Sequence, residues 1–390
     1  MKQELELYIH IPFCVKKCAY CDFLSGPATL TEQKEYVDAM IQEIYGYREM
    51  AKEYEVVTIF VGGGTPSVLS ADQMVSIFRA LRKVFDISPN AEITTELNPG
   101  SVTTEKLLAY KEVGMNRLSM GLQSVNNEEL EQLGRIHTFE QFKQTYQLAR
   151  ELNFTNINVD LISAIPGQTC KSWEETLHTV AKLQPEHISA YSLIIEEGTP
   201  FYEKYHGDTK GCLPDEEEER RIYERTSKCL EDYGYDRYEI SNYAKTGYEC
   251  KHNLGYWERK NYLGIGVGAA SLLNNVRYAH IRDRDSYVKE LCKGGANIKV
   301  DIEVLDQKAQ IEEFMFLGLR NAKGIRKDVF FDTFHISVES VYGEVVPILK
   351  KEGLLLEDPQ GLRLTQRGID ISNYVFVKFL DPEITIAPLL

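Results

Sequence analysis

The sequence predicts an α/β fold in which six βα units form a barrel or partial barrel, followed by a small α+β domain. Strand-like and helix-like segments alternate regularly through the first half of the chain. Polar motifs follow the strands one after another, as in an enzyme barrel. The last part of the chain changes to helices and one hairpin, so it is predicted to fold around a core of its own.

The six βα units are read from the spacing of apolar residues. Runs rich in Val, Ile and Leu indicate strands, and apolar residues at spacings of three and four indicate helices. The predicted strands are Leu5–Ile11, Val56–Val61, Ala91–Leu97, Arg117–Leu122, Asn156–Ile162 and His187–Ile195. The predicted helices are Thr31–Glu53, Ala71–Phe85, Thr103–Val113, Phe139–Leu152 and Lys171–Leu183.

Each predicted strand ends in polar or glycine-rich residues. Three cysteines follow the first strand, and Gly62–Ser67 follows the second. Glu96–Gly100 and Gly121–Ser124 end the third and fourth strands, and Asp160 lies near the end of the fifth. Because the carboxyl ends of parallel barrel strands open on one face, these motifs predict a single site there.

Residues 200–300 lose this alternation. Pro214–Leu230 is predicted to be a charged helix, whose acidic start suits the helix dipole better than a metal ion. An aromatic-rich stretch from Tyr233 to Tyr262 follows. The glycines of 264–268 lack the spacing of a dinucleotide-binding loop, so we do not expect one there.

Residues 305–380 predict a separate small domain that resembles a winged helix. Asp358–Gly361, between two short apolar runs, indicates a hairpin. Because the surrounding charge is acidic, we expect a lid or docking role rather than DNA binding. The predicted elements of this domain are Lys308–Leu319, Val338–Lys351, Leu354–Glu357, Leu362–Thr365 and Arg367–Lys378.

Composition excludes some classes of protein. The 390 residues carry a net charge of -15, which argues against general nucleic-acid binding. The first residues lack the apolar region of a signal peptide, and no run reaches the roughly 20 apolar residues of a membrane helix. Eight scattered cysteines fit a reducing compartment, so we expect a cytoplasmic protein without a transmembrane segment.

Cys14, Cys18 and Cys21 form the most informative motif, with the spacing C-x3-C-x2-C. A [4Fe–4S] cluster is normally held by four cysteines, so three ligands leave one iron without a protein ligand. S-adenosylmethionine (SAM), which can chelate through an amino and a carboxylate group, suits that vacancy. Structural zinc would need a fourth ligand nearby, and a disulfide would leave one thiol over. We therefore predict an iron–sulfur cluster.

Polar residues at the other strand ends are candidate SAM ligands. A carboxylate or amide such as Glu96, Gln123 or Asp160 can bind ribose hydroxyls, and Arg135 suits a carboxylate. The glycines of Gly62–Ser67 let the backbone approach a ligand closely, and the lysine of a phosphate-binding loop is absent. A tight turn and ordinary ion pairs are the alternative readings.

Residues 250–257 hold a histidine, an asparagine and two aromatic residues. His252 is a candidate iron ligand, and aromatic walls suit a flat macrocycle. A capped turn with a hydrogen-bonded histidine is the alternative. Cys250 and His280 stay open as further candidate ligands.

Taken together, these motifs resemble the HemN-like family of radical SAM proteins, which contains oxygen-independent coproporphyrinogen III oxidases and haem chaperones. The resemblance covers the catalytic region and the C-terminal tail. The segments that carry it are 8–23, 61–67, 96–99, 119–124, 158–162, 190–193 and 238–242.

The resemblance implies a partial (β/α)6 radical SAM barrel and a cluster held by the three cysteines. It implies three segments: a radical SAM core at 1–235, an aromatic segment with a haem-binding motif at 236–300, and a HemN-type domain at 301–390. The residues it implies for cofactor binding are Tyr8, Tyr20, Gly63, Gly64, Thr65, Glu96, Gln123, Arg135, Asp160 and His252.

Within this family the chain resembles the chaperones more than the oxidases. The oxidases carry a further cysteine two residues after the third cluster ligand, where this chain has Phe23. The segment from His252 to Trp257 resembles the chaperones' haem motif. We therefore expect haem binding and delivery to acceptor haemoproteins, including respiratory ones at the inner membrane. The alternative is oxidative decarboxylation of coproporphyrinogen III in porphyrin biosynthesis.

Overall fold

The computed structural model describes residues 2–206, 212–295 and 297–381. A twelve-stranded mixed sheet organises most of this part of the chain. Its strands are β1 (Gln3–Ile11), β2 (Tyr54–Gly63), β3 (Asp86–Leu97), β4 (Arg117–Gln123), β5 (Ile157–Ser163), β6 (His187–Ser192), β7 (Asp236–Arg237), β8 (Asn242–Ala244), β9 (Tyr262–Ile265), β10 (Ala270–Leu273), β11 (Val276–His280) and β12 (Lys299–Val304).

Strands β1 to β6 lie side by side in chain order and pair in parallel. On one side β9 pairs in parallel with β1, and β10 to β12 extend the sheet antiparallel; on the other, β8 and β7 follow β6. The order leaves β12 and β7 as edge strands, so the sheet does not close. The predicted partial (β/α)6 barrel is confirmed.

Helices connect the parallel strands, and serine or threonine residues determine where they begin. In four of them the side chain before the first turn accepts a hydrogen bond from the backbone of the third residue, which bonds back in return. The helices of this half are α1 (Leu30–Gly46), α2 (Ala71–Val84), α3 (Thr104–Glu112), α4 (Asn127–Gln132), α5 (Phe139–Glu151) and α6 (Cys170–Lys182).

Alternation along the strands separates an apolar face from a polar one. In β1 the odd-numbered residues from Leu5 to Ile11 are fully buried in the main hydrophobic core. The even-numbered residues Glu6, Tyr8 and His10 belong to the opposite face. That face carries polar side chains on neighbouring strands too, such as Thr58 and Glu92. The concave interior of the barrel is therefore polar.

The remaining elements cover one end of the barrel and build a second core. A three-stranded antiparallel sheet and its helices enclose a separate hydrophobic cluster, as predicted for a small α+β domain. Four further helices of the described ranges precede this small domain: α7 (Pro200–Tyr205), α8 (Glu216–Glu231), α9 (Lys251–Trp257) and α10 (Arg284–Cys292). The helices of the small domain are α11 (Gln307–Gly318), α12 (Lys327–Phe334), α13 (Val338–Tyr342), α14 (Val345–Lys351), α15 (Gln366–Asp370) and α16 (Ser372–Val377). The strands are β13 (Ile325–Arg326), β14 (Leu355–Glu357) and β15 (Gly361–Leu364).

Three predicted helices are shorter or broken. The first ends at Gly46, and Met50–Glu53 forms a separate 3-10 turn. The predicted helix 338–351 breaks at Gly343, because glycine is a poor helix former. The last one breaks at Ile371, whose ψ of 38° is not helical. In the described ranges, no helix has the length and apolar character needed to cross a membrane.

Trp173 connects α6 to α8 through a hydrogen bond to Thr226, a residue that lines the cavity next to the three cysteines. Trp173 is fully buried, and its indole N–H donates to Thr226 Oγ1 at 2.8 Å. We expect Trp173→Phe to lower the free energy of unfolding by about 2 kcal/mol, since it loses volume and leaves the hydroxyl without its donor. Urea denaturation measures this change. Leu108→Ala, at an exposed position of α3, should change it by less than about 0.5 kcal/mol.

Candidate functional site

The loop with the three cysteines lies between β1 and α1, at the carboxyl edge of the parallel strands. Two backbone hydrogen bonds close its base: Cys14 N–H donates to Gly26 O, and Gly26 N–H donates to Pro12 O, both at 3.0 Å. Its middle is tied to another loop by Ala19 N–H, which donates to Leu133 O at 3.0 Å. The loop therefore presents all three thiols to one cavity of about 610 Å³.

The thiols have polar neighbours suited to thiolates. Cys14 Sγ lies 3.4 Å from Thr65 Oγ1, and Arg135 Nη1 donates to Cys18 Sγ at 3.6 Å. Burial raises the pKa of Cys21. No three cysteine, histidine or carboxylate groups among the described residues converge on a single ion. The three ligands of a cluster bind different irons, so thiols that share one cavity without converging suit a cluster.

The glycine loop after β2 packs against the cysteine loop. Gly63 has a φ of +108°, and a Cβ there would lie 2.5 Å from the His10 ring. A Cβ at Gly64 would lie 2.6 Å from Phe13 O, and Thr65 N–H donates to the same oxygen at 2.7 Å. A larger residue at Gly64 would push the two loops apart, and one at Gly63 would displace the His10 ring of β1, so this sequence needs glycine at both positions.

Glu96 is a half-buried carboxyl at the end of β3. Gly63 N–H donates to its Oε2 at 3.1 Å. Burial, followed by the nearby Asp160, raises the pKa of Glu96 to about 8. One backbone donor leaves the carboxyl group with unused capacity for hydrogen bonds. It therefore fits a ligand that offers hydroxyl or amino groups, as SAM does.

Three further predicted residues complete the mouth of this cavity. Asp160 is oriented by Ser119, whose hydroxyl donates to it at 2.9 Å, and by Asn158, whose amide donates at 2.8 Å. Gln123 adopts a φ of +76°, which is unusual outside glycine. Arg135 is half-buried, and its buried Nε has no acceptor within the described ranges. Such an unpaired donor fits an anionic group of a bound ligand.

The cavity brings together most of the predicted cofactor-binding residues, and we call it the thiol cavity. The predicted residues that line it are Cys14, Cys18, Tyr20, Cys21, Gly63, Gly64, Thr65, Glu96, Gln123, Arg135 and Asp160.

His252 lies elsewhere, inside the barrel on α9. Its ring is 1% exposed, with Nδ1 2.7 Å from Thr58 Oγ1 and Nε2 3.0 Å from the Tyr256 hydroxyl. Burial and then the Arg117 charge lower the pKa of His252 to about 3, so the ring is neutral. Both nitrogens have partners, and the ring does not reach the thiol cavity.

Glu92 holds the start of α9 at this depth in the barrel. Its carboxylate accepts the backbone N–H groups of Lys251 and His252, each at 3.2 Å, and Cys250 Sγ lies 3.6 Å away. Cys250 and His280, the other candidate iron ligands, are both fully buried. Sequence reasoning missed this role of Glu92, although the alternation in β3 places it on the polar face.

A second cavity, also of about 610 Å³, lies between the barrel, α9 and α11. We call it the aromatic cavity. Tyr8, predicted to contact SAM, lines this cavity, and so does Arg282, which sequence reasoning missed because an exposed arginine after a strand carries no signal. The residues that line both cavities are Asp22, Phe23, Gly63 and Glu96.

The open parallel sheet with a three-cysteine loop at its carboxyl edge defines a radical SAM protein. The profile of the Radical SAM superfamily matches residues 8–180, and that of the HemN C-terminal domain matches residues 305–371. This superfamily uses a [4Fe–4S] cluster and SAM, and the thiol cavity offers donors that fit both.

Relatives with known names show to which family of radical SAM proteins the chain belongs. The chain is 37% identical to the heme chaperone HemW of Lactococcus lactis over 96% of both chains. It is also 37% identical to that of Bacillus subtilis, covering 96% of this chain and 98% of the relative. The chain belongs to the HemW family. Coproporphyrinogen III oxidase (HemN) of Escherichia coli has a similar structure, with a TM-score of 0.85, 25% identity and coverage of 97% and 91%.

The raised pKa of Glu96 predicts how pH affects the stability of the cofactor-free protein. A carboxyl whose pKa rises on folding stabilises the fold while protonated, and this contribution is lost between pH 4.5 and about 8. Glu96→Gln should therefore raise the free energy of unfolding by about 2 kcal/mol at pH 8 and hardly at pH 5. Urea denaturation at both pH values tests this, with the exposed Glu105→Gln as control. An equal effect at both pH values would contradict it.

Proposed function

We propose that this chain binds haem and delivers it to acceptor haemoproteins, and that it carries a [4Fe–4S] cluster and SAM in the thiol cavity. One observation supports the two parts together: the cavity lined by three thiols adjoins a second one lined by aromatic residues. The volume of each cavity, about 610 Å³, lies within the range of small-molecule sites. The relatives named haem chaperone match almost the whole chain.

In this proposal Cys14, Cys18 and Cys21 bind three irons of the cluster and leave the fourth to SAM. A cluster with an open iron supplies electrons for radical chemistry when SAM is bound. Thr65 and Arg135 contact the ligating sulfurs, and such contacts tune the potential of a cluster.

The neighbouring residues hold SAM. We propose that Arg135 binds its carboxylate and that Glu96 and Asp160 bind hydroxyl or amino groups. The remaining thiol-cavity residues proposed to surround SAM are Tyr20, Gly63, Gly64, Thr65 and Gln123. Tyr8, the other residue proposed to contact SAM, lines the adjoining aromatic cavity and would reach SAM only across the wall that the two cavities share.

For haem, we propose that His252 takes part through its position on α9, one turn before Tyr256, which lines the aromatic cavity. The full-length matches to chaperones, together with Phe23 in place of the oxidases' cysteine, favour this function over coproporphyrinogen decarboxylation. We further propose cytoplasmic delivery to acceptors that include respiratory haemoproteins at the inner membrane.

Removing any one of the three thiols should abolish a stable [4Fe–4S] cluster, because two cysteines cannot hold it. We expect Cys14→Ala, Cys18→Ala and Cys21→Ala, after anaerobic reconstitution, to lose more than about four-fifths of the bound iron and sulfide. Cys292→Ala, which removes an exposed thiol of α10, is the matched control and should keep the wild-type content. Wild-type iron content in any of the three variants would exclude that cysteine as a ligand.

Haem transfer tests the proposed function itself. We expect the reconstituted protein to bind haem saturably, as followed by the Soret absorbance, and to pass it to apomyoglobin, an acceptor that can be separated by size. Anaerobic incubation with coproporphyrinogen III and SAM should give no protoporphyrinogen IX. A chain that binds no haem, or that decarboxylates coproporphyrinogen, would refute the proposal.

A further inference from the structure

The aromatic cavity has the properties of a porphyrin site, and this inference rests on the proposed haem function. Three aromatic side chains among its walls, Phe23, Trp257 and Tyr262, offer flat apolar surface to a macrocycle. The buried indole N–H of Trp257 has no acceptor among the residues described. Haem also needs a ligand for its iron and partners for its two propionates.

Two phenol–imidazole pairs reach this cavity. The Tyr8 hydroxyl lies 3.0 Å from His10 Nδ1, and the Tyr256 hydroxyl lies 3.0 Å from His252 Nε2. Tyrosine is a known axial ligand of ferric haem, which it binds as the phenolate. A hydrogen-bond donor stabilises that phenolate and an acceptor does not, so the direction of each hydrogen bond distinguishes the two tyrosines.

The bond between His10 and Tyr8 has the wrong direction for a phenolate. His10 Nε2 lies 3.0 Å from the carbonyl oxygen of Leu24, which can only accept, so Nε2 carries the proton. Nδ1 of the neutral ring is then an acceptor, and the Tyr8 hydroxyl must donate to it. A phenolate at Tyr8 would therefore face a nitrogen lone pair.

The bond between His252 and Tyr256 has no such restriction. The partner of His252 Nδ1 is the Thr58 hydroxyl, at 2.7 Å, and a hydroxyl can donate. Nε2 is then protonated and can donate to a phenolate at Tyr256. Thr58 and His252 can thus form a buried chain of hydrogen-bond donors. This chain ends at the hydroxyl oxygen of Tyr256, which lines the aromatic cavity.

We propose that haem binds in the aromatic cavity with the phenolate of Tyr256 as axial ligand, and that His252 is a positioning residue that donates a hydrogen bond to that oxygen. Ferric iron gains the Fe–O bond, and the phenol proton leaves to solvent. No electron is transferred. The histidine therefore acts on haem through the tyrosine and not by direct ligation.

Arg282 is placed to bind a propionate of the same haem. It lines the cavity, is exposed, and makes no hydrogen bond or ion pair with the described residues. Arg277, also on the wall, already pairs with Glu313 at 2.8 Å. An unpaired guanidinium at the edge of an aromatic cavity suits a carboxylate, since the pair forms charge-assisted hydrogen bonds.

The test titrates ferric haem into the full-length protein and compares Tyr256→Phe with Tyr8→Phe, the other tyrosine bonded to a histidine. Tyr248→Phe, at an exposed tyrosine that lines neither cavity, is the control. We expect the wild type to show a high-spin ferric signal in electron paramagnetic resonance and a phenolate-to-iron charge-transfer band. Tyr256→Phe should lose the band and weaken binding at least about tenfold, because the phenolate ligand is removed. Tyr248→Phe should keep both, and Tyr8→Phe should keep the band.

Arg282→Glu tests the propionate contact independently. We expect it to weaken haem binding about fivefold but to leave binding of haem dimethyl ester unchanged, because the ester has no carboxylate to lose. Arg79→Glu, an exposed arginine of α2, is the control and should bind both like the wild type.

The outcomes separate this inference from the proposed function. Haem binding by the wild type with a histidine-ligated spectrum, or loss of the band in Tyr8→Phe instead of Tyr256→Phe, would overturn the assignment of Tyr256 and leave the haem function standing. An equal effect of Arg282→Glu on haem and its dimethyl ester would overturn the propionate contact. Absence of haem binding by the wild type would overturn the proposed function as well.

Discussion

The buried carboxylate of Glu92 is the contact on which the position of α9, and with it the aromatic cavity, depends. The polar faces of the parallel strands give the barrel a polar interior. Because the sheet is open, it does not enclose this interior completely. Glu92 accepts two backbone N–H groups from the start of α9 and holds that helix inside the barrel. The buried Arg117 lies nearby with the opposite charge. Since α9 carries His252 and Tyr256, the position of one carboxylate determines which ring is buried and which lines the aromatic cavity.

Next to the aromatic cavity, the thiol cavity is shaped by close backbone contacts. The glycine loop after β2 lies directly against the cysteine loop and β1: a Cβ at Gly64 would collide with Phe13 O of the cysteine loop, and one at Gly63 would collide with the His10 ring on β1. Glu96 bonds to this glycine loop and lines both cavities. A ligand that changes the charge of Glu96 in one cavity would therefore be felt in the other. In the proposed function, this shared wall physically links the SAM site to the haem site.

Much of this architecture could be predicted because it is local in sequence. Strand and helix periodicity predicted the barrel, and motifs at strand ends predicted which residues line the thiol cavity. The depth of His252 could not be predicted, because it depends on Glu92 and Thr58, which are more than 150 residues away in the chain. The position of Arg282 on the wall of the aromatic cavity could not be predicted from the sequence either, because it depends on how β11 and α9 are placed. Apolar periodicity did not reveal the helix breaks at Gly343 and Ile371, because they are set by the low helix propensity of glycine and by the non-helical backbone of Ile371.

The central claim is that SAM and haem occupy separate, adjoining cavities. The most direct measurement is the apparent dissociation constant of haem for the cluster-loaded protein as the SAM concentration is raised, followed at the Soret band without oxygen. Two cavities predict that the constant levels off at saturating SAM, because both ligands are bound together and interact only through their shared wall. A constant that rises in proportion to SAM without limit would mean that the two compete for one site, and would contradict the account.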